Sequence, residues 1–428
     1  MKKTLLALLV SLPLFAATAP AARVNAVTEN NASCDIGQYP AATLLLPNFE
    51  VDINSQSTKA LNTVFTVINT SRTPQMARVT LWTDLGYPGS WFNLFLSGYD
   101  AQTISLYEIL ARGRYPVTSV NMPTGTASAK NTENPNFVTD QICSPAGGLM
   151  SPLLLTRLQK IFTTGERDEP NCPVGLTHKN AIGYVTVDVV NSCATTSPLD
   201  PAYWTETILF DNVLTGEYER INPESTLGNY AGGNPLVHIR AIPEGGAAGS
   251  EPGTALPYTF YDRYTPAGAR KFDRRQPLPS TFSARFIQGG RTGFQTMYAV
   301  WREALTGSAK SECEYMQNAK LGISKGQVVR FDEHENAVAL ANDGYSPATS
   351  SIPTTSSMLP PMASGDNGGW LWISFDNGAS KKEVNPYSTR RASQNWVIVQ
   401  MYAEGRYGVD FDASWIANGC TATPPSAP

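Results

Sequence analysis

Histidine is nearly absent from this chain. Its 428 residues hold three, His178, His238 and His334, and no two of them are spaced i, i+4. That inventory excludes an H-E-x-x-H protease and a His-rich zinc site. Charge is sparse as well, at 16% against the ~25% usual in soluble domains, so the polar surface must come largely from Ser, Thr, Asn and Gln. The net charge of -4 comes with no basic cluster, which argues against nucleic acid and anionic membranes as partners. No C-x-x-C pair is present, which leaves zinc and thiol-redox readings weak. Neither a metal nor a cofactor is expected. Beyond the first 26 residues no apolar run reaches the ~18 residues needed to cross a bilayer, so no integral membrane segment is expected.

What the chain does have is period-two alternation. Ala77, Val79 and Leu81 alternate with Arg78 and Thr80, and Phe92, Leu94 and Leu96 with Asn93 and Ser97. The pattern returns at Val185, Val187 and Val189 against Thr186 and Asp188, at Phe282, Ala284 and Phe286, and at Leu371, Ile373 and Phe375. Side chains alternate across a strand, so each run reads as a strip with one buried and one wet face. Strips of this kind belong to antiparallel sheets packed face to face. The expected fold is mostly β: an antiparallel β-sandwich, immunoglobulin-like or jelly-roll-like, in two β-rich halves with a small helical insertion. Phe65, Val79, Leu81, Phe92, Leu94, Phe282, Phe286, Leu371, Ile373, Val409 and Phe411 are its expected core.

One segment reads as a helix, over residues 152–164. Ser151 can cap it, Pro152 suits its first turn, and Leu154, Leu155, Leu158, Ile161 and Phe162 share a face ahead of Gly165. Residues 243–257 and 346–364 have the Gly, Pro, Ser and Thr content of loops. A faint repeat links Thr63–Val67 followed by Val79–Trp82 to Thr281–Phe286 followed by Tyr298–Trp301. Both read as hairpins ending in a tryptophan, with an acidic residue two positions after it, Asp84 or Glu303.

The first 26 residues have the layout of a secretory signal peptide. Lys2 and Lys3 precede an apolar run from Leu5 to Ala17, and small residues follow. The organisation expected is a signal peptide over 1–26, a β-sandwich module over 27–130, an insertion with one helix and strands over 131–275, and a second β-sandwich module over 276–428. The protein is expected to be exported, either secreted or periplasmic. Cys34, Cys143, Cys172, Cys193, Cys313 and Cys420 all follow the leader. An even count in an oxidising compartment favours three disulfides, although six cysteines allow 15 pairings.

Candidate chemistry rests on residue types. Gly322-Ile323-Ser324-Lys325-Gly326 matches a nucleophile elbow. The elbow needs a strand-to-helix turn, and the residues that follow read as a strand. Asp366 with its neighbours, and Asp410 with Asp412, offer oxygen ligands without the spacing of a calcium loop. The Asp410–Asp412 face reads as a solvated edge. Carboxylates beside aromatic rings are the stronger candidates, because a glycosidase needs two carboxylates and a sugar-binding face needs flat rings. Trp204, Tyr218, Asp211 and Glu217 meet that description, and His238 lies on a nearby strand where Asp211 or Glu217 could partner it as a base.

Two resemblances add to this reading. The run TVFTVINTS…ARVTLWTDLG…FNLFLSGYDAQTISL, between Thr63 and Leu106, resembles the strand order of immunoglobulin-like modules in bacterial secreted proteins. With IGYVTVDVVNSC, DNVLTGEY, DRRQPLP and GRYGVDFDASWIANGC, most of the chain resembles a group of exported bacterial β-sandwich proteins. That resemblance implies export and a sandwich and transfers no catalytic residue. The sequence therefore points to an exported, non-catalytic β-sandwich with a structural or surface-binding role, facing a cell-surface molecule or a glycan. The alternative is a secreted hydrolase acting on polysaccharide. Oligomeric state is left open.

Overall fold

The computed structural model describes residues 36–116, 149–167, 172–191, 196–223, 230–242, 259–261, 273–291, 293–303, 321–323, 327–340, 344–354, 356, 358–361, 367–375, 394–403 and 407–417. The first strands are β1 (Thr43–Val51), β2 (Asn62–Asn69), β3 (Gln75–Thr83), β4 (Pro88–Leu96) and β5 (Ala101–Ser105). Helices α1 (Leu106–Leu110) and α2 (Pro152–Thr163) follow, then β6 (Ala181–Val190), β7 (Leu214–Asn222), β8 (Tyr230–Pro235) and β9 (Val237–Ile239). The remainder comprises β10 (Thr281–Ile287), β11 (Phe294–Arg302), β12 (Leu321–Ile323), β13 (Val328–Asp332), β14 (Ala337–Ala339) and β15 (Gly344–Ser346). It ends with β16 (Thr349–Pro353), β17 (Gly368–Ser374), β18 (Asn395–Ala403), β19 (Tyr407–Asp412) and β20 (Ser414–Ala417).

The strands form antiparallel sheets, as the alternation predicts. In the first half the orders are β4-β3-β6-β1-β9 and β5-β2-β7-β8. In the second they are β14-β13-β17-β10-β20 and β16-β11-β18-β19, with β12 and β15 as a separate pair. From the region read as an insertion, β6, β7 and β9 pair with β1, β2 and β3, and β8 pairs with β7. One continuous apolar core runs through both halves. Phe65, Val79, Leu81, Phe92, Leu94, Phe282, Phe286, Leu371 and Ile373 are all within it.

Helix α2 forms as its sequence dictates. The Ser151 hydroxyl accepts the Leu154 N–H, Pro152 occupies the first turn, and Gly165 leaves the helix at a φ of 67°. Leu158, Ile161 and Phe162 are buried, and the Phe162 ring packs on Phe49 with centroids 5.7 Å apart. The short helix α1 was not expected from the sequence; Ser105 caps it through the Glu108 N–H.

Three features depart from simple alternation. First, the residues read as the wet face of β3 and β6 are inside: Arg78, Thr80, Thr186 and Asp188 are all essentially unexposed. These strands sit inside their sheet and are covered on both faces. Residues 203–207, 259–261 and 273–276 supply much of that cover over Asp188. The Asp188 carboxylate accepts the hydroxyls of Thr43 at 2.6 Å, Tyr203 at 2.6 Å and Tyr261 at 2.9 Å. Arg275 lies 3.9 Å from it and is also bridged to Asp273 at 3.2 Å. Burial works against the Arg275 charge, yet Asp273 and Asp188 hold its pKa above the ordinary value. Buried charges are found in this paired, hydrogen-bonded form because an isolated one would cost too much.

Second, the two hairpins of the repeat are not hairpins. Strand β2 pairs with β5 and β7 rather than with β3. Strand β10 pairs with β17 and β20 rather than with β11. Each unit crosses from one sheet to another. The two tryptophans that end these units meet on one residue: Tyr184 stacks on Trp82 at 5.7 Å and meets Trp301 edge-on at 5.9 Å. Beside them the Asp84 carbonyl accepts the Thr349 N–H, and Thr349 Oγ1 donates to the Pro47 carbonyl.

Third, Val409 and Phe411 are 44% and 38% exposed rather than buried. On edge strand β19 it is Asp410 and Asp412 that face neighbouring side chains, Gln400 and Trp396. This alternation is offset by one residue from the expected one, which exchanges the two faces.

Candidate functional site

The five residues singled out by sequence are not one site. Trp204 is buried, with ring centroids 4.7 Å from Tyr203 and 4.4 Å from Tyr261, so no face is open to a sugar. Tyr218 is also buried; its hydroxyl lies 3.5 Å from the Asn234 amide, and burial holds its pKa well above the usual range. Asp211 is half-buried, and burial pushes its carboxyl pKa up. Glu217 is exposed and shares an open depression of ≈ 510 Å³ with His238. The His238 ring is not poised as a base. Burial lowers its pKa to about 4, against the pull of a backbone hydrogen bond at Leu236, and its Nε2 accepts the Gly216 N–H at 3.3 Å.

The arrangement with most to offer a ligand lies on the outer face of the second half. Because Phe282, Ala284 and Phe286 point into the sandwich, Ser283 and Arg285 of β10 point out. In register with them on β17 are Trp372 and Trp370, and next on β13 come Val329 and Phe331. Trp370 lies flat on Phe331, with centroids 4.1 Å apart and planes 7° from parallel. Gly369 makes this possible: its φ is 149°, and a Cβ there would lie 2.1 Å from the Phe331 carbonyl oxygen. Only glycine lets β17 approach β13 so closely beside the ring pair.

Beside this platform runs a groove of ≈ 470 Å³, lined by Trp370, Arg285, Ser283, Ser414, Phe411, Asp412 and the β13–β14 turn. The turn is built on Asp332, which accepts the N–H groups of His334 at 2.8 Å and Asn336 at 2.9 Å and the Asn336 amide at 2.7 Å. These bonds, the Asn336 side chain first, hold the Asp332 carboxyl below its ordinary range. The turn carries Glu333 and Glu335 into the groove lining. On the opposite side, Asp412 accepts the Trp396 indole N–H at 2.9 Å. Burial raises its pKa to about 6, with Asp410 adding to the effect and the Trp396 bond opposing it.

Flat rings, a guanidinium, hydroxyls and carboxylates in one groove can stack on the apolar face of a ligand ring and hydrogen-bond its rim. Sequence reasoning passed over these residues although a signal was present. In Gly368–Ser374, Trp370 and Trp372 alternate with Leu371 and Ile373, so placing the aliphatics in the main core puts both indoles on the opposite face, where Trp370 is half-buried and Trp372 is buried.

Among the described residues no group of three His, Cys, Asp or Glu side chains is arranged to hold a metal ion. No helix there is long and apolar enough to cross a membrane. Ser324 of the elbow-like motif lies outside the described residues, as do Asp366 and Cys34, Cys143, Cys193, Cys313 and Cys420. Cys172 is described and buried. The fold defines an antiparallel β-sandwich protein with an aromatic-walled surface groove. No protein-family model, curated protein or solved structure matches the chain.

Proposed function

We propose that this is an exported, non-catalytic β-sandwich protein that binds a glycan, or a glycan-bearing surface molecule, in the Trp370 groove. The observation that carries the reading is the Trp370–Phe331 platform beside Arg285, Ser283 and Ser414, an aromatic face with polar groups at its rim. Export is supported by the basic, apolar and small-residue order of the first 26 residues. Pairing of the six cysteines is supported by their even number and by Cys172, which is buried and carries no free thiol. The mature chain then begins between Ala22 and Val27, which mass spectrometry of exported protein reads directly.

One observation favours the second reading, a polysaccharide hydrolase. Asp412 combines a raised pKa with a place in the groove, as a general acid requires. Its carboxylate is already engaged by the Trp396 indole, and binding without cleavage is the better account. A glycan array and a polysaccharide hydrolysis screen, each run on the wild type and on Trp370→Ala, test both. Binding that falls by about tenfold or more in the variant, the loss of about 1.4 kcal/mol, with no sugar release, supports the binding reading. Sugar release abolished by Asp412→Asn establishes the hydrolase. Glycan binding unchanged in Trp370→Ala removes the groove from the account.

A further inference from the structure

The charge of the Trp370 groove bears on the kind of glycan it takes, an inference that rests on the glycan-binding reading above. Among the described residues that line it are four carboxylates and one guanidinium: Asp332, Glu333 and Glu335 of the β13–β14 turn, Asp412 of β19, and Arg285 of β10. The strand order β14-β13-β17-β10-β20 puts the turn at one margin and the β19–β20 corner at the other, with Trp370 and Arg285 between them. Asp332 is engaged by its own turn and Asp412 by the Trp396 indole. The other two carboxylates differ. Glu333 and Glu335 are exposed, and no described residue makes a hydrogen bond or ion pair to either side chain. The Glu333 carboxylate lies over β17, on the bare backbone of Gly368, where a Cβ would come within 2.7 Å of its Oε1.

Sugars differ in how they meet such a groove. An acidic one would bring like charge beside the turn, and a neutral one would offer the carboxylates hydroxyl donors alone. An ammonium group has three donors and forms charge-assisted hydrogen bonds with carboxylates. Close to an indole face it is attracted by the ring as well. Arg285, in register with Trp370, is then placed to donate to hydroxyl oxygens. We propose that the groove selects glycans carrying free amines, with a sugar ring on Trp370 and its ammonium group facing Glu333 and Glu335. A lysine-rich peptide would supply the charge without the flat apolar face, and the aromatic platform favours the amino sugar.

Calorimetric titration of the full chain with fully deacetylated and fully N-acetylated chitohexaose tests the assignment, in a mildly acidic buffer that keeps the amines protonated. The two oligomers share length, linkage and ring faces, and only the first is charged. An exposed ion pair contributes up to about fivefold in affinity, so engagement of both glutamates should favour the deacetylated oligomer by about tenfold or more. The preference should shrink as salt rises, because exposed charges are screened. In the double variant Glu333→Gln, Glu335→Gln the two affinities should come within about threefold of each other. Misfolding would weaken both oligomers together, so their ratio in the variant, with circular dichroism confirming the fold, is the deciding quantity. Equal affinities in the wild type, or tighter binding of the N-acetylated oligomer, overturn the amine inference and leave the glycan reading standing. A full preference retained in the folded double variant marks general attraction to a chain of net charge -4 and overturns it as well. So does tetralysine binding as tightly as the deacetylated oligomer, which would make the occupant a basic peptide. If neither oligomer binds, the inference falls, and an array on which no glycan binds removes the underlying reading with it.

Discussion

Replacing Asp188 by alanine should be among the most damaging single changes available in the described structure. The carboxylate is fully buried, accepts three hydroxyls and faces the buried Arg275. Removing one partner of a buried ionic network costs about 3–5 kcal/mol, because the remaining charge loses its compensation. Arg275 keeps Asp273 at 3.2 Å, which places the charge contribution toward the lower end of that range. The hydroxyls of Thr43, Tyr203 and Tyr261 lose their acceptor together, and each buried polar group left unpaired costs about 1–3 kcal/mol if nothing replaces the partner. Tyr203 and Tyr261 cannot respond by ionising, since burial, the largest cause that holds both hydroxyls well above their ordinary pKa, persists once the carboxylate is gone. Water entering the vacated space will recover part of the loss, so the expected total is about 4–6 kcal/mol. Asp188→Asn keeps the shape and one acceptor oxygen and should cost about half as much. Tyr203→Phe should cost about 1–2 kcal/mol. Urea titration followed by far-ultraviolet circular dichroism measures all three. If Asp188→Ala lies within about 1 kcal/mol of the wild type at unchanged m, the network is not holding the second face of β6 and the reasoning fails.

The remaining expectations concern pH and packing. Burial raises the Asp412 pKa on folding from its ordinary 3.8 to about 6. The folded state therefore binds the proton more tightly, and this stabilisation is complete below pH 3.8 and lost as pH rises through about 6. Asp412→Asn should accordingly gain stability relative to wild type between pH 4.5 and 7.5 in paired urea titrations, and an unchanged difference would contradict the assignment. His238 has the opposite sign. Its pKa falls from 6.5 to about 4 on folding, so it removes stability as pH drops through that interval. Its ring carbons should show no nuclear magnetic resonance titration above pH 5.5, where an ordinary midpoint near 6.5 would disprove burial of the neutral ring. Leu81→Ala and Phe286→Ala should each cost roughly 2–5 kcal/mol, since both side chains are fully buried and their strands cannot collapse into the space; two silent titrations would refute the sandwich core.

The apolar half of the alternation was legible because burial of an aliphatic side chain is a local property of a strand. Val79 and Leu81 could point nowhere but inward. The polar half was not legible in the same way. Arg78, Thr186 and Asp188 look like solvent-facing residues, and what buries them arrives from residues 203–207, 259–261 and 273–276, far along the chain. Period two reports which residues share a face and is silent on what covers that face. On β19 the same ambiguity acted in reverse. Val409 and Phe411 were assigned inward by hydropathy, whereas edge position lets the strand present its aspartates to Trp396 and Gln400. The candidate site shows both effects. Glu217 and His238 do line one depression, but the ring there is already engaged by the Gly216 N–H. The Trp370–Phe331 pair depends on a cross-strand register between β13 and β17 that no local pattern reveals.

The contact of Trp82 and Trp301 on the single ring of Tyr184 has a mechanical consequence. A hinge needs a seam whose surfaces can part and stay wetted, and across this seam the Trp301 indole meets Tyr184, itself stacked on Trp82 of the same sheet, with a backbone hydrogen bond from Thr349 to Asp84 beside them. Opening it would part Trp301 from Tyr184 and bare two large aromatic rings. The sandwich halves should therefore turn and tumble as one body. A ligand seated in the groove should leave the rest of the fold unaltered, and the chain should melt in one step.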